Sequence, residues 1–280
     1  MRPGRHCDGG CHAYRYTTNG ACRRACLLAC IGAEVTAIDS AGFGPINITK
    51  AITITSPDGI EAGIVPSPKG NAITIGAGTN DAVVLRGLTL NGGGVGYNGV
   101  VFNSGGSLTV TNCVMQNFAY DGVSVFTGNG IMMQPSSGAV KFVITNTVAS
   151  NNGLLGIAYF PTGGSPSANV VIDHVTVTGN FSSAIVINTL LTTGGATIFA
   201  VSNSSASNNG TGASGVFING PNLSAPVTVS IDNFSAVGNG AGISVSGAAS
   251  TVLLSRSVIT GNEVGIDNGI STFYTYGNNQ

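Results

Sequence analysis

The stretch Ile172-Asp-His-Val-Thr-Val-Thr-Gly-Asn180, followed by Ala184-Ile-Val-Ile187, decides the fold because altered copies of it recur along the chain. Each copy has alternating apolar residues, an asparagine and a second apolar run that usually starts at glycine. The other five copies span 110–125, 144–159, 201–218, 231–245 and 254–267. Self-similarity at a nearly fixed interval is typical of a solenoid, in which each repeat stacks on the next.

Five asparagines close successive copies of the pattern, at intervals of 28, 29, 30 and 23 residues. They are Asn152, Asn180, Asn209, Asn239 and Asn262. The varying interval predicts coils with loops of variable length at one corner. Amides that stack from one coil to the next can hydrogen bond to each other, so we expect these five residues to form a structural turn ladder.

The pattern predicts an all-β fold, a right-handed parallel β-helix with three short strands in each coil. At the usual spacing of strands, about nine coils fit between Ile31 and Gln280 as a single-stranded solenoid. The third strand of each coil is expected at the second apolar run, for example at 156–159 and at 121–125. Phe273-Tyr-Thr-Tyr276 is expected to cap the last coil.

The composition supports short strands and excludes several classes of function. The chain has 43 Gly, 42% hydrophobic residues and only 8% charged residues, whereas about 25% charged residues is usual. The net charge of −1 offers no positive field for nucleic acid. No apolar run approaches the roughly 18 residues needed to span a membrane.

Residues 1–30 form an atypical leader, which we separate from a β-helix domain at 31–280. The leader holds five of the ten basic residues and five of the six cysteines. It is too irregular for a signal peptide, because its only apolar stretch, 25–32, is short and late. A second interpretation is a metal site, with Cys7, Cys11, Cys22 and Cys26 as candidate ligands, although zinc sites more often have two residues between paired cysteines. We favour a poorly ordered leader, and we expect Cys113 to fill a strand position as a small apolar side chain.

The segments 39–54 and 80–92, together with the Asn/Gly coils from about Glu34 onward, resemble bacterial right-handed β-helix repeat proteins of the pectate-lyase-like superfamily. The resemblance implies the fold, and either an activity on polysaccharides or a non-catalytic surface role. Members often carry an export signal and a cysteine pair ahead of the first coil. From this we expect an extracellular or cell-surface location, although no recognisable signal peptide is present.

Asp173 and Asp232 are the candidate catalytic carboxylates, because they occupy equivalent repeat positions about 10 Å, or two coils, apart. His174 is a third candidate, since Val170-Val-Ile-Asp-His174 resembles the V-x-I-D-H stretch of pectate lyases. However, its repeat position is held elsewhere by asparagine, which favours a structural bend residue. No cofactor is expected, except calcium if the protein is a lyase.

Two binding functions remain alongside the enzyme. A glycan could stack on exposed aromatic rings, for which the candidates are Phe126, Tyr159, Phe160, Phe199 and Phe217. Ice binding would need regular threonines, and the Thr-x-Thr pairs at 53–55, 109–111 and 176–178 do not recur in consecutive coils. We therefore expect an exported, non-catalytic protein with a structural or carbohydrate-interacting role and a polysaccharide or surface glycan as partner. The alternatives are a polysaccharide lyase, a glycoside hydrolase and an ice-binding protein.

Overall fold

The computed structural model describes residues 32–220 and 223–280, and within them the chain forms nine complete coils of parallel strands. Each coil contributes one strand to each of three columns, and every strand pairs in parallel with its equivalent in the next coil. The predicted all-β parallel β-helix is confirmed by this pairing.

The strands of the three columns have the following bounds. Column 1 contains β1 (Ala33–Thr36), β4 (Ile52–Thr55), β7 (Ala82–Arg86), β10 (Ser107–Thr111), β13 (Ala139–Thr145), β16 (Ser167–Asp173), β23 (Ser250–Ser255) and β26 (Thr272–Thr275). Column 2 contains β2 (Ala41–Phe43), β5 (Ala62–Ile64), β8 (Leu88–Asn91), β11 (Val114–Gln116), β14 (Val148–Ser150), β17 (Thr176–Thr178) and β24 (Val258–Thr260). Column 3 contains β3 (Ile46–Ile48), β6 (Asn71–Gly76), β9 (Asn98–Ser104), β12 (Asn129–Met133), β15 (Ile157–Tyr159), β18 (Ile185–Asn188), β20 (Ser214–Asn219), β22 (Ala241–Ser246) and β25 (Val264–Asn268). The long strands β19 (Thr197–Ser207) and β21 (Val227–Val237) each contribute to both columns 1 and 2, and they bend at Asn203 and Asn233.

A file of left-handed residues makes the bend between columns 1 and 2. Positive φ angles between 48° and 53° occur at Asn112, Asn146, His174, Asn203, Asn233 and Arg256. Asparagine tolerates this conformation better than most residues. His174, with φ 52°, therefore lies in the bend position that the repeat alignment indicates.

The predicted asparagine ladder is confirmed at the corner between columns 2 and 3. The Nδ2 atoms of Asn152, Asn180 and Asn209 each donate to Oδ1 of the next asparagine at 2.9 Å, and that of Asn239 donates to Asn262 at 3.1 Å. The same oxygens also accept from the backbone N–H of the preceding asparagine. The Nδ2 atoms of the first four asparagines each donate to a backbone carbonyl as well, and that of Asn262, which ends the ladder, donates to Ala236 O. These buried amides are therefore fully hydrogen bonded.

The prediction of a third strand at 121–125 is wrong. The structure places it at β12, where Ile131 pairs with Ile157, and makes 121–125 part of a loop whose Val123 is 85% exposed. Asp121 begins this loop by accepting from the backbone N–H groups of Val123 and Ser124. The carboxylate thus stabilises a turn where the pattern indicated a strand.

The core is a set of stacked side chains inside the coils. Phe102, Phe142, Tyr159 and Phe199 form a file of edge-to-face aromatic contacts with centroid distances of 4.9 to 6.2 Å. Cys113 is buried, as expected, but it lies in the bend between β10 and β11 rather than in a strand.

The 273–276 stretch stacks on the column 1 strand of the last complete coil. It lies in and just after β26, which adds a further strand to column 1 by pairing with β23. Phe273 packs against the core, whereas Tyr274 and Tyr276 remain exposed.

Candidate functional site

The outer face of column 1 is the surface that combines charge, hydroxyl groups and exposed rings. The outer face of column 3 is covered near its middle, where Val101, Met132, Ala158 and Val186 are buried under the side chains of Phe126, Leu154, Leu155, Phe160 and Phe217. The outward residues of column 2 are Thr, Ser, Val, Asn, Gln and Gly, with no charged side chain among those that the structure describes. We therefore take the column 1 outer face as the candidate site.

Strand register arranges the outward residues of column 1 in three files along the rod. The first file includes Lys141, Asn169, Ile198, Thr228 and Thr251. The second includes Val143, Val171, Ala200, Ser230, Leu253 and Tyr274. The third includes Thr145, Asp173, Ser202, Asp232 and Ser255. Asp173 and Asp232 are thus in one file with Ser202 between them, as the repeat alignment predicts.

The Asp173 carboxylate contacts three neighbouring polar side chains. Its Oδ1 accepts from Ser202 Oγ at 2.6 Å and from Asn203 Nδ2 at 2.8 Å, and its Oδ2 is 2.6 Å from His174 Nδ1. The hydrogen bond from Ser202 makes the largest contribution to lowering the pKa of Asp173 to about 2, followed by the contacts with His174 and Asn203. This carboxylate is ionised at neutral pH and orients the His174 ring, whose side chain is 61% exposed.

The Asp232 carboxylate is bound by an arginine from the next coil. Its Oδ1 accepts from Ser255 Oγ at 2.6 Å and from Arg256 Nε at 2.8 Å, while Arg256 Nη2 contacts Oδ2. The Arg256 guanidinium, followed by Ser255, lowers the pKa of Asp232 to about 2. The pair is bidentate, which fixes both side chains on the surface.

The two carboxylates lack the difference in pKa that glycoside hydrolysis requires of its acid and its base or nucleophile. One of the two must have a raised pKa to act as the acid, and both have lowered values. Two coil heights also separate them, about 10 Å at normal strand spacing. Both carboxylates are therefore ionised hydrogen-bond acceptors at neutral pH.

An open groove of about 460 Å³ adjoins the Asp232–Arg256 pair. We name it the Tyr276 groove, and it is lined by Ser230, Asp232, Leu253, Ser255, Arg256, Tyr276 and Asn278. Tyr276 is held by its backbone N–H, which donates to Leu254 O, and its side chain is 55% exposed. The groove thus offers an aromatic ring beside hydroxyl, amide and charged groups.

A smaller groove of about 190 Å³ lies at the other edge of the same face. We name it the Lys141 groove, and it is lined by Ala139, Val140, Lys141, Ser167, Ala168, Asn169, Ala196 and Ile198. The ion pairs among the described residues are His174–Asp173 and Arg256–Asp232. Within those residues, no carboxylate lies within 4.0 Å of the Lys141 ammonium group. Its positive charge is therefore available to a ligand.

Other predicted candidates are dispersed. Tyr159 and Phe199 are core residues, and Phe126, Phe160 and Phe217 pack on the column 3 outer face. The threonines at 53–55 and 109–111 lie in column 1 two coils apart, whereas those at 176–178 lie in column 2. Cys7, Cys11, Cys22 and Cys26 are outside the described residues. Sequence reasoning missed Arg256 and Tyr276 as site residues, although the alignment of Arg256 with His174 was a usable signal.

Two features are absent from the part of the chain that the structure describes. No cluster of three or more His, Cys, Asp or Glu side chains there could hold a metal ion. No helix in residues 32–220 or 223–280 has the length and apolar character to cross a membrane.

Comparison with known proteins gives a structural likeness. No family model matches the chain, and no curated protein matches it significantly. Among solved structures, it is similar to the A-module of the mannuronan C-5 epimerase AlgE6 from Azotobacter vinelandii. That match has 10% identity and a TM-score of 0.39, and it covers 86% of this chain and 91% of that one.

Proposed function

We propose that this protein is a non-catalytic carbohydrate-binding β-helix whose column 1 outer face holds a glycan. The observation that carries the proposal is the Tyr276 groove, where an exposed ring adjoins a fixed Asp–Arg pair and several hydroxyl and amide groups. Aromatic rings stack on the apolar faces of sugars, while carboxylate and guanidinium groups hydrogen bond to their hydroxyl groups. Open surface grooves of this kind suit a chain-like ligand.

The state of the acidic side chains favours binding over catalysis. Asp173 and Asp232 both have a pKa of about 2 and both are already hydrogen bonded. A polysaccharide lyase or hydrolase would need a proton donor or acceptor matched to neutral pH. The oriented His174 ring supports an enzyme as the second candidate, since its exposed side chain could accept a proton.

A glycan array probed with the purified full chain tests the proposal. We expect the array to retain the protein on specific sugars. The affinity for these sugars should fall about fivefold in Tyr276→Ala, because the variant loses about 1 kcal/mol of ring contact. Phe181→Ala is the matched control, because Phe181 is 71% exposed but lies at the corner between columns 2 and 3. No retained sugar, or equal retention by both variants, would overturn the proposal.

An activity screen separates the second candidate. The chain is incubated with uronate-containing polysaccharides, with and without calcium, and new unsaturated or reducing ends are measured. We expect neither. New ends that disappear in His174→Asn, which preserves the left-handed bend, would assign catalysis to this face.

We further propose that the protein acts outside the cell or on its surface, where polysaccharide ligands are abundant. Detection of the chain in the culture medium or on intact cells, with the mass of its natural N-terminus, tests this location. Retention inside the cell would contradict it.

A further inference from the structure

Five buried asparagines in two ladders are each followed directly by glycine. Besides the ladder between columns 2 and 3, a shorter one joins Asn71, Asn98 and Asn129 at the start of column 3 through bonds of 2.8 and 3.0 Å. The ladder asparagines that precede glycine are at most 4% exposed. They are Asn98, Asn129, Asn152, Asn209 and Asn239.

The stacking of the coils requires glycine after these asparagines. A Cβ atom at Gly130 would lie 2.6 Å from Gly156 O, and one at Gly153 would lie 2.5 Å from Tyr120 N. Both distances are shorter than van der Waals contact allows. The same crowding by backbone atoms applies to Gly99, Gly210 and Gly240. The ladders select asparagine and the packing selects glycine, so the fold itself places the Asn-Gly dipeptide in its interior.

The Asn-Gly dipeptide is prone to spontaneous deamidation, because glycine lacks a Cβ and lets its backbone nitrogen approach the preceding side chain. That nitrogen attacks the asparagine Cγ, a succinimide ring forms and ammonia leaves. Water then opens the ring to aspartate or isoaspartate. The net change is hydrolysis of the amide to carboxylate and ammonium, which needs no co-reactant besides water.

The folded protein fixes both reacting groups in other hydrogen bonds. Asn152 Nδ2 donates to Asn180 Oδ1 at 2.9 Å, and the Gly153 N–H donates to Phe118 O at 2.7 Å. The Gly210 N–H likewise donates to Asn180 O at 2.9 Å. The amide therefore cannot turn toward the glycine nitrogen, and burial excludes the water that opens the ring.

Aspartate cannot replace a ladder asparagine. The Asn152 amide donates to Asn180 Oδ1 and to Met115 O, whereas a carboxylate has no donor. Deamidation would set a negative charge against these two acceptors at a site that is 2% exposed, and an unpaired buried charge is strongly destabilising. Isoaspartate would also insert a methylene group into the backbone of the stacked coil.

We infer that these five asparagines are deamidation sites that the fold protects and that unfolding exposes, so that a chain left unfolded loses the ability to refold. Chemical modification of the unfolded state makes unfolding irreversible. The time that the chain spends unfolded then sets the lifetime of the protein. This inference is independent of the proposed function.

Peptide mapping of the full chain tests the sites, with one sample folded and one in guanidinium at the same mildly alkaline pH. We expect aspartate and isoaspartate at the five sites in the denatured sample alone. Asn180 and Asn262 are internal controls, because they belong to the same ladder but precede Phe181 and Glu263, and they should keep their amides. Equal deamidation of folded and denatured chains, or of Asn180 and Asn152 in the denatured chain, would overturn the inference.

Refolding after dilution measures the consequence. The yield should fall as the time in guanidinium increases, with aspartate at the five sites confined to chains that fail to refold. A sample kept unfolded equally long at mildly acidic pH, where the glycine nitrogen reacts slowly, should keep its initial yield. Equal losses at both pH values, or refolded chains with aspartate in the ladders, would contradict the inference.

Asn152→Asp reproduces the product directly and should lower the melting temperature or prevent folding. Asn91→Asp is the matched control, because Asn91 also precedes glycine but its Oδ1 accepts from the Gly93 N–H and from Asn117 Nδ2. A carboxylate retains both of these bonds, so the melting temperature should not change. Equal melting temperatures of the two variants would also refute the inference.

Discussion

Asn180 donates through Nδ2 to Oδ1 of Asn209 at 2.9 Å while its own Oδ1 accepts from Asn152, one coil in the opposite direction. Each buried amide in this file is at once donor and acceptor to its neighbours. The ladder therefore makes the hydrogen bonding of one corner depend on every asparagine in it.

Asn180→Ala is expected to destabilise the protein by about 2–4 kcal/mol, because it leaves buried donors of Asn152 without their acceptor. Chemical denaturation monitored by circular dichroism measures the free energy of unfolding. Asn208→Gly is the control, since Asn208 is an exposed left-handed residue (φ 52°) beside the ladder, and a change within about 0.5 kcal/mol is expected. Equal effects of the two substitutions would contradict the role of the ladder.

Cys113 should resist alkylation in the folded protein. Burial raises the pKa of its thiol to about 11, so the reactive thiolate is scarce at pH 8, and the side chain is not accessible. Treatment with iodoacetamide, followed by peptide mapping, should label the peptide containing Cys113 only after unfolding in guanidinium. Labelling of this peptide under native conditions would show that the bend is open.

Stability should fall in acid as the two surface carboxylates become protonated. The folded-state pKa values of Asp173 and Asp232 are about 2, below the usual 3.8. A lowered pKa stabilises the fold above the unfolded value, and that contribution disappears as the pH falls from about 4 to about 2. The Asp173 and Asp232 side chains are 30% and 28% exposed, so solvent screens their contacts and the effect is small. We expect the melting temperature of Asp173→Asn to depend less on pH in this range than that of the unmodified protein, and parallel curves would count against the Asp173 contacts.

Phe126→Ala should open the apolar cluster on the outer face of column 3. The Phe126 ring packs edge-to-face on Phe160 at 5.5 Å and covers buried side chains including Met132. Its partial burial suggests a loss of about 2 kcal/mol, less than for a fully buried ring. Increased binding of a hydrophobic dye, with a lower melting temperature, would reveal the opening. Val123→Ala, at the exposed tip of the same loop, should change neither quantity.

The sequence predicts the coil well because stacking repeats the same local pattern. Asn152 to Asn262 recur in the sequence at the corner that the ladder occupies, and the left-handed position of His174 follows from its alignment with Asn146 and Asn203. Strand β12 was misplaced because Asp121-Gly-Val-Ser-Val125 imitates a strand. Only the three-dimensional stack selects Ile131 as the partner of Ile157.

A second asparagine ladder could not be predicted from the sequence either. Asn98 donates to Asn71 at 2.8 Å, and Asn129 donates to Asn98 at 3.0 Å, at the start of column 3. Their intervals of 27 and 31 residues are concealed by loops of unequal length. The candidate site is even harder to predict from the sequence, because the Tyr276 groove joins residues of three consecutive coils that no local motif connects.

The repeating ladder also bears on how such a molecule changes length over generations. Asn180 and Asn209 present the same donor and acceptor atoms to their neighbours, so a deletion of residues 181–209 would bring Asn180 against Asn239 with the bonding pattern intact. Gain or loss of whole turns through recombination is thus compatible with the interior, whereas a shift of one residue would turn every inward side chain of a strand outward. The rod can therefore be shortened or extended in steps of one turn, and the number of outward residues available on its surface changes in the same steps.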